Sequence, residues 1–329
     1  MGKKIVGIAM GGYSSEREIS LESGQTVIQN IPTSRWDCYK LIVDRDQWKV
    51  IDLQEKQYPF NEEEFSFKIG DLTIHFDLVF NAIHGSPGED GLLSKKLARL
   101  KIPHTSCGSD SAALTFDKRG CLEAIKKWDI PVARSFCFDE GDPLELDEII
   151  DTVGLPCFVK PNRSGSSYGV VKVKEKGQLK DAIATALSED SQLIIEAALE
   201  GMEISVGAYA LDGRVIVLPI TEIISENDFF DYDAKYNGKS QEITPARLDE
   251  KTVTAVNKLV KKLYLNLKIK GVCRSEFIIV DGTPHLLEVN TIPGLTAASL
   301  IPQQLKVAGI QLSDFFESLL TEAMKKPVH

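Results

Sequence analysis

Residues 274–294, RSEFIIVDGTPHLLEVNTIPG, constrain the chain more than any other stretch. Asp281-Gly282 stands between two β-forming runs, Phe277–Val280 and His285–Leu287, and Asp-Gly in that setting is a strong signal for a tight hairpin. The same strands carry Arg274, Glu276, Glu288 and Asn290. Alternate residues of a strand share a face, so Arg274 points with Glu276, and Glu288 with Asn290. If the connecting loop has an odd length, the two glutamates fall opposite or diagonal, within about 5–8 Å. Two close carboxylates repel, and burying them unpaired is expensive. A divalent cation removes both problems. Glu, Glu and Asn offer only oxygen, which suits Mg²⁺ with phosphate oxygens completing its octahedral shell. Arg274 beside them can stabilise a developing negative charge. A solvent-facing edge with ordinary charges fits the same residues, but the next segment, TIPGLTAASL, weighs against it. Pro293-Gly294 and Thr296 turn the chain back over the site, and Ser299-Leu300 open a helix able to hold a carboxylate.

The rest of the chain is that of a soluble globular protein. Its 329 residues suffice for two or three domains with proper cores. A net charge of −10 argues against a nucleic-acid partner, which needs clustered cations. No apolar run approaches the roughly 18 residues of a membrane span, so no membrane partner is expected. The start, MGKKIVGIAMGG, lacks the apolar stretch and cleavage site of an export signal, and Val6 stands where a myristoylation motif needs Ser or Thr. Six cysteines without a C-x-x-C pair suggest reduced thiols rather than a disulfide framework or a zinc site. A cytoplasmic protein is the expectation.

Strand and helix patterns alternate over residues 1–108, which predicts a parallel α/β domain. KKIVGIAM reads as a strand, followed by a helix over SSEREISLESGQTVIQNI with Ser14 or Ser15 as N-cap and an acidic first turn. FDLVFNAIHG and GLLSKKLARL repeat the alternation. Residues 109–200 read as a small α+β unit. Residues 201–329 hold a hairpin turning at Asp212-Gly213, a long helix, the 274–294 hairpin and a C-terminal helix. The 226–245 segment has no clean period and is long for a connector; such loops are functional lids or disordered.

Two glycine-rich loops could each present backbone donors to a ligand. VKPNRSGSSYGVVKV offers backbone N–H groups that can cradle phosphate, and Lys160 supplies a point charge. It lacks the G-x-x-x-x-G-K-[ST] pattern and runs into a strand, not a helix. A plain polar hairpin fits it as well. Gly11-Gly12-Tyr13-Ser14-Ser15 lacks the G-x-G-x-x-G spacing; it fits a βα loop presenting Ser15, Glu16 and backbone donors to a small ligand, or Glu16 favouring a helix N-terminus for local reasons.

Taken together, two lysines, a glycine-serine loop, two glutamates, an asparagine and a leading α/β domain resemble the ATP-grasp fold. GGYSSEREIS, HGSPGEDG, VKPNRSGSSYG, DYDAKY and LLEVNTIPGLTAASL are similar to the motifs of the D-alanine–D-alanine ligase family, in its order, from residue 11 to 300. The resemblance implies that Glu16 holds the ammonium of a first D-alanine, with His84 nearby. Lys118 and Lys160 would contact ATP phosphates, Ser166 and Ser167 would close over them, and Lys235 would approach the γ-phosphate. Glu196 and Leu199 would meet the adenine and Glu203 the ribose. Tyr236 would join Glu16 and Ser166 in a hydrogen-bonded network. Arg274 and the Gly294 N–H would form the oxyanion hole. Glu276, Glu288 and Asn290 would bind two Mg²⁺ ions, with Mn²⁺ as a substitute, and Ser299 with Leu300 the second carboxylate. The 226–245 loop would be the lid, and a homodimer is expected. Two departures stand out: the family commonly has Asp where Glu276 stands, and the hinge EAAL has small residues where bulkier ones are frequent. Another carboxylate–amine or D-alanine–D-lactate ligase of the same fold is the alternative enzyme, and a nucleotide-binding regulatory protein the alternative that is not one.

Overall fold

A computed structural model describes residues 2–225 and 240–325. Its first sheet is made of β1 (Lys4–Gly11), β2 (Trp36–Val43), β3 (Lys49–Ile51), β4 (Gln57–Asn61), β5 (Ser66–Ile69), β6 (Leu72–His75) and β7 (Leu78–Asn81), in the order β6-β5-β4-β3-β2-β1-β7. The expected parallel core is β2-β1-β7. The strands β3 to β6 extend it antiparallel. Because β1 is covered on both faces beyond its exposed first residue, Ile5–Met10 run without a polar side chain. The pleat still sorts them: Val6, Ile8 and Met10 join one core cluster, and Ala9 the other.

Two helices belong to this domain, α1 (Arg17–Asn30) after β1 and α2 (Leu92–Arg99) after β7. The expected serine cap of α1 is corrected. Glu16 occupies the N-cap position, without a side-chain cap. Ser14 Oγ accepts from the Glu16 N–H at 3.3 Å and donates to the His84 carbonyl at 2.9 Å, which ties the two βα loops together. The acidic first turn is present as Glu18.

Next come α3 (Ser109–Phe116) and α4 (Lys118–Lys126), the latter capped by Asp117, whose side chain accepts from the Gly120 N–H. The second sheet has four strands, β8 (Ser135–Asp139), β9 (Cys157–Pro161), β10 (Val171–Val173) and β11 (Gln192–Ala197), ordered β10-β9-β11-β8 and antiparallel throughout. The helices α5 (Leu146–Val153) and α6 (Leu179–Leu187) pack on it.

The third sheet holds β12 (Met202–Leu211), β13 (Arg214–Val217), β14 (Thr221–Ser225), β15 (Ser240–Ile243), β16 (Val272–Val280) and β17 (Thr283–Asn290). Its path is β15-β14-β12-β16-β17, with β13 beside β12. A long helix, α7 (Glu250–Asn266), buries Val256, Val260 and Leu263 against it, in one cluster with Ile125 of α4.

Two last helices, α8 (Leu300–Val307) and α9 (Leu312–Lys325), return to the first sheet. Phe315, Phe316, Leu319 and Leu320 of α9 share a core with Val6 and Phe80. Burial of each such side chain contributes about 1.5–3 kcal/mol, so this helix is a strong clasp between chain ends. No helix among the described residues is long and apolar enough to cross a membrane.

Candidate active site

Two cavities meet in the cleft between the three sheets. The smaller is walled by the loops after β1 and β7, which supply Glu16 and His84, and by Arg274, Gly294 and Ser299. The larger, of about 500 Å³, lies between the second and third sheets and is lined by Lys160, Ser167, Glu196, Leu199, Glu203 and Glu276. That volume is within the usual range for a bound small molecule. Lys118, Ser164, Gly165, Ser166 and Glu288 line both. A ligand group at this junction is therefore within reach of contents on either side.

The glycine-serine loop is built for close approach. Ser166 and Ser167 both adopt positive φ, 47° and 60°, a conformation that costs a non-glycine residue roughly 1–2 kcal/mol. The turn brings Ser166 Oγ onto Glu16, donating to Oε1 at 2.5 Å. Gly165 packs so closely beneath that a Cβ there would stand 2.4 Å from Glu16 Oε2. Lys118 Nζ donates to the Ser164 carbonyl at 2.6 Å and lies 4.0 Å from Glu288 Oε2. The loop thus connects the first sheet to the hairpin through charged groups.

In that hairpin, Asp281 and Gly282 have φ of 48° and 76°, the signature of a two-residue type I′ turn. An even turn would pair Glu276 with Leu287. The odd residue comes instead from a bulge between Glu276 and Phe277, after which Glu276 faces Glu288 and Arg274 faces Asn290. The expected opposition of the two glutamates holds, and the condition placed on the loop does not. Arg274 Nη2 pairs with Glu276 Oε1 at 2.7 Å. Asn290 Oδ1 accepts from the Ile292 N–H at 2.8 Å, which starts the turn back over the site. Glu276 is buried, whereas the Glu288 side chain is about a third exposed. Opposed carboxylates with an asparagine next to them form an all-oxygen set, which fits Mg²⁺.

On the larger side, Lys160 of β9 pairs with Glu196 of β11 at 2.7 Å. Burial works to lower the Lys160 pKa, but Glu196, aided by Glu288 and Glu203, more than offsets it and raises it above its ordinary value. Glu196 Oε1 is buried with no hydrogen-bond partner among the described residues. Such an orphaned acceptor is a feature that a bound donor would satisfy.

Burial on the smaller side has the opposite consequence for His84. It lowers the imidazole pKa, so the ring stays neutral near pH 7, with Nε2 3.2 Å from Ser23 Oγ. Two further carboxylates line this cavity that the sequence did not single out, Glu89 and Glu242. Burial, then the nearness of Glu16, pushes Glu89 up to about 8 while it accepts from the Gly85 N–H at 2.8 Å. Its signal was present in HGSPGEDG: an acid enclosed by glycines directly after an apolar strand. Glu242, on the short β15, had no such pattern. Ser299 stands at the N-cap of α8, and Leu300 is its first residue. Lys235 and Tyr236 lie outside the described residues, as do 226–239 of the expected lid.

Comparison with known proteins follows the same outline. Residues 5–107 match the family model for the D-ala D-ala ligase N-terminus, and residues 125–321 that for its C-terminus. A protein of Flavobacterium johnsoniae named D-alanine–D-alanine ligase is 48% identical, over 96% of this chain and 98% of its own. One of the same name from Christiangramia forsetii is 46% identical, over 98% and 99%. Among solved structures, the D-alanine–D-alanine ligase of Bacillus anthracis complexed with ATP is similar at a TM-score of 0.79, with 29% identity, over 99% of this chain and 98% of its own. A D-Ala:D-Ser ligase of Enterococcus faecalis reaches 0.85 with 30% identity, over 98% and 100%.

Proposed function

This chain belongs to the D-alanine–D-alanine ligase family, and we infer that it joins two D-alanine molecules into D-alanyl-D-alanine, with ATP cleaved to ADP and phosphate. The dipeptide would serve peptidoglycan precursor synthesis. The observation that carries the reading is the junction of the two cavities at Lys118, Ser164–Ser166 and Glu288. A nucleotide in the larger cavity would present its terminal phosphate there to a carboxylate in the smaller one.

A carboxylate is a poor electrophile. In the proposed first step an oxygen of the first D-alanine attacks the γ-phosphorus, the bond to ADP breaks, and an acyl phosphate forms. In the second, the amine of the other D-alanine attacks the acyl carbon. The C–O bond breaks, phosphate leaves with the original carboxylate oxygen, and the amine loses a proton. Positioning and charge neutralisation supply most of the catalysis in phosphoryl transfer.

The residues divide accordingly. Glu16, oriented by Ser166, would hold the first ammonium, and neutral His84 would stand by without competing for that charge. Lys118 and Lys160 would face the phosphates, with Ser167 closing above them and Lys235 approaching from the lid. Glu196 and Leu199 would meet the adenine and Glu203 the ribose; the orphaned Glu196 Oε1 supports a donor there. Arg274 and the Gly294 N–H would stabilise the tetrahedral oxyanion, and Ser299 with Leu300 at the start of α8 would receive the second carboxylate. Glu276, Glu288 and Asn290 would hold Mg²⁺, two ions per site with Mn²⁺ as a substitute, which when bound neutralises charge on the phosphates. A cytoplasmic homodimer is the setting consistent with this family.

The nature of the second substrate rests on Tyr236. Tyrosine is neutral near pH 7, with a reference pKa of about 10, so it adds no cation that would draw in a hydroxy-acid anion and repel an ammonium. The test supplies ATP, Mg²⁺ and equal D-alanine and D-lactate at neutral pH, with products weighed by mass spectrometry. Dipeptide is the expected product. Mostly ester would overturn the choice of substrate, and neither product would overturn the ligase reading.

A further inference from the structure

The smaller cavity has a carboxylate that none of the roles above uses. Glu242 lies on β15, opposite Ile223 of β14, and faces the space shared by Arg274, Gly294 and Ser299. Its Oε2 accepts from Gln303 Nε2 at 2.5 Å, and the same Nε2 donates to the Ala298 carbonyl at 2.9 Å. Gln303 belongs to α8, the helix whose N-terminus begins at Ser299. Glu242 is therefore tethered to the element that would hold the second carboxylate.

The other acids around this cavity are committed. Glu16 accepts from Ser166, Glu89 from the Gly85 N–H, and Glu288 has Lys118 at 4.0 Å. Burial raises the Glu242 carboxyl pKa, outweighing both its hydrogen-bond donor, a neutral amide, and the charge of Arg274 in the same cavity. An anion so placed gains from a cationic neighbour. On the ligase reading, the second D-alanine arrives as a zwitterion, its two charges on one carbon. Because Gln303 Nε2 bonds both Glu242 and the Ala298 carbonyl, a carboxylate at the start of α8 would bring an ammonium on the same carbon within reach of Glu242.

Resting on that reading, we propose that Glu242 receives the ammonium of the second amino acid and thereby makes the enzyme prefer an amine over a hydroxyl nucleophile. A hydroxy acid in the same place withholds the ammonium and leaves Glu242 with only the amide of Gln303 and the charge of Arg274. A site built for a polar partner rejects the analogue that lacks it, because the buried group is left unmatched.

The test compares Glu242→Gln and Glu242→Asp with the parent, at equal D-alanine and D-lactate and in D-alanine titrations. The glutamine keeps the hydrogen bond to Gln303 and loses the charge. Its KM for the second D-alanine should rise about tenfold, the size of one charge-assisted contact, with the KM for the first unchanged. Its ester-to-dipeptide ratio should rise similarly, whereas Glu242→Asp should keep the parental ratio. A changed ratio in both variants, in neither, or an equal shift in both KM values overturns the proposal. A parent that makes no dipeptide fails the ligase reading beneath it, which separates the two failures.

Discussion

Replacing Gly165 by alanine should disable the enzyme through a contact that only the assembled site contains. A Cβ at 165 would lie 2.4 Å from Glu16 Oε2 and 2.8 Å from Oε1, where ordinary contact begins at 3.4 Å. The carboxylate must retreat by about 1 Å, and its 2.5 Å hydrogen bond from Ser166 is lost in doing so. The shift itself is cheap, since the atoms met are the far end of the Glu16 side chain, but loss of a hydrogen bond to a charged group costs about 1.5–3 kcal/mol. A misplacement of about 1 Å in a positioning group lowers rate by roughly 10²-fold. Steady-state phosphate release with D-alanine varied should therefore show kcat/KM reduced about 100-fold, with circular dichroism unchanged. Gly177→Ala, where a Cβ meets nothing within 4 Å, is the control and should behave as the parent. Parental kinetics in Gly165→Ala would mean that the Glu16–Ser166 contact has no part in turnover.

Three other outcomes follow from the same geometry. Glu288→Gln should abolish turnover with the fold intact, since it removes one charge of an opposed pair; full activity would remove the metal role. Lys160→Met should destabilise the protein by about 3 kcal/mol in urea denaturation, because Glu196, with its side chain only 4% exposed, loses its partner; an unchanged midpoint would refute this. The raised Glu89 pKa has a defined sign: the folded state binds the proton more tightly than the unfolded chain, so this group favours folding at low pH, and that contribution is lost as pH rises toward about 8. Glu89→Gln should therefore lose less stability than the parent between about pH 5 and 8, and equal slopes in a thermal-shift series would contradict it.

The ligand-facing hairpin was legible because two local rules met there. Asp281-Gly282 fixed the turn, and the period of two put Arg274, Glu276, Glu288 and Asn290 on usable faces. The bulge that completes the register was not legible, since an extra residue such as Leu287 has no side-chain signature in an apolar strand. Strands β3 to β6 escaped for another reason: each has only three to five residues, too short for a period to stand out. The serine cap expected at α1 failed on position: Glu16 takes the N-cap, and Ser14, two residues ahead, accepts from the Glu16 N–H at 3.3 Å while donating to the His84 carbonyl. Tertiary closure by α9 was equally hidden, because an amphipathic pattern shows a buried face without showing its partner. Glu89 and Glu242 became visible only when separate loops and strands were brought around one cavity.

The central claim is that a carboxylate and a phosphate meet where the two cavities join. It is tested most directly with D-alanine labelled with ¹⁸O in both carboxylate oxygens, ATP and Mg²⁺, followed by mass spectrometry of the released phosphate. An acyl phosphate formed at that junction predicts one ¹⁸O in each phosphate and one retained in the new peptide carbonyl. Unlabelled phosphate, with dipeptide still formed, would contradict it.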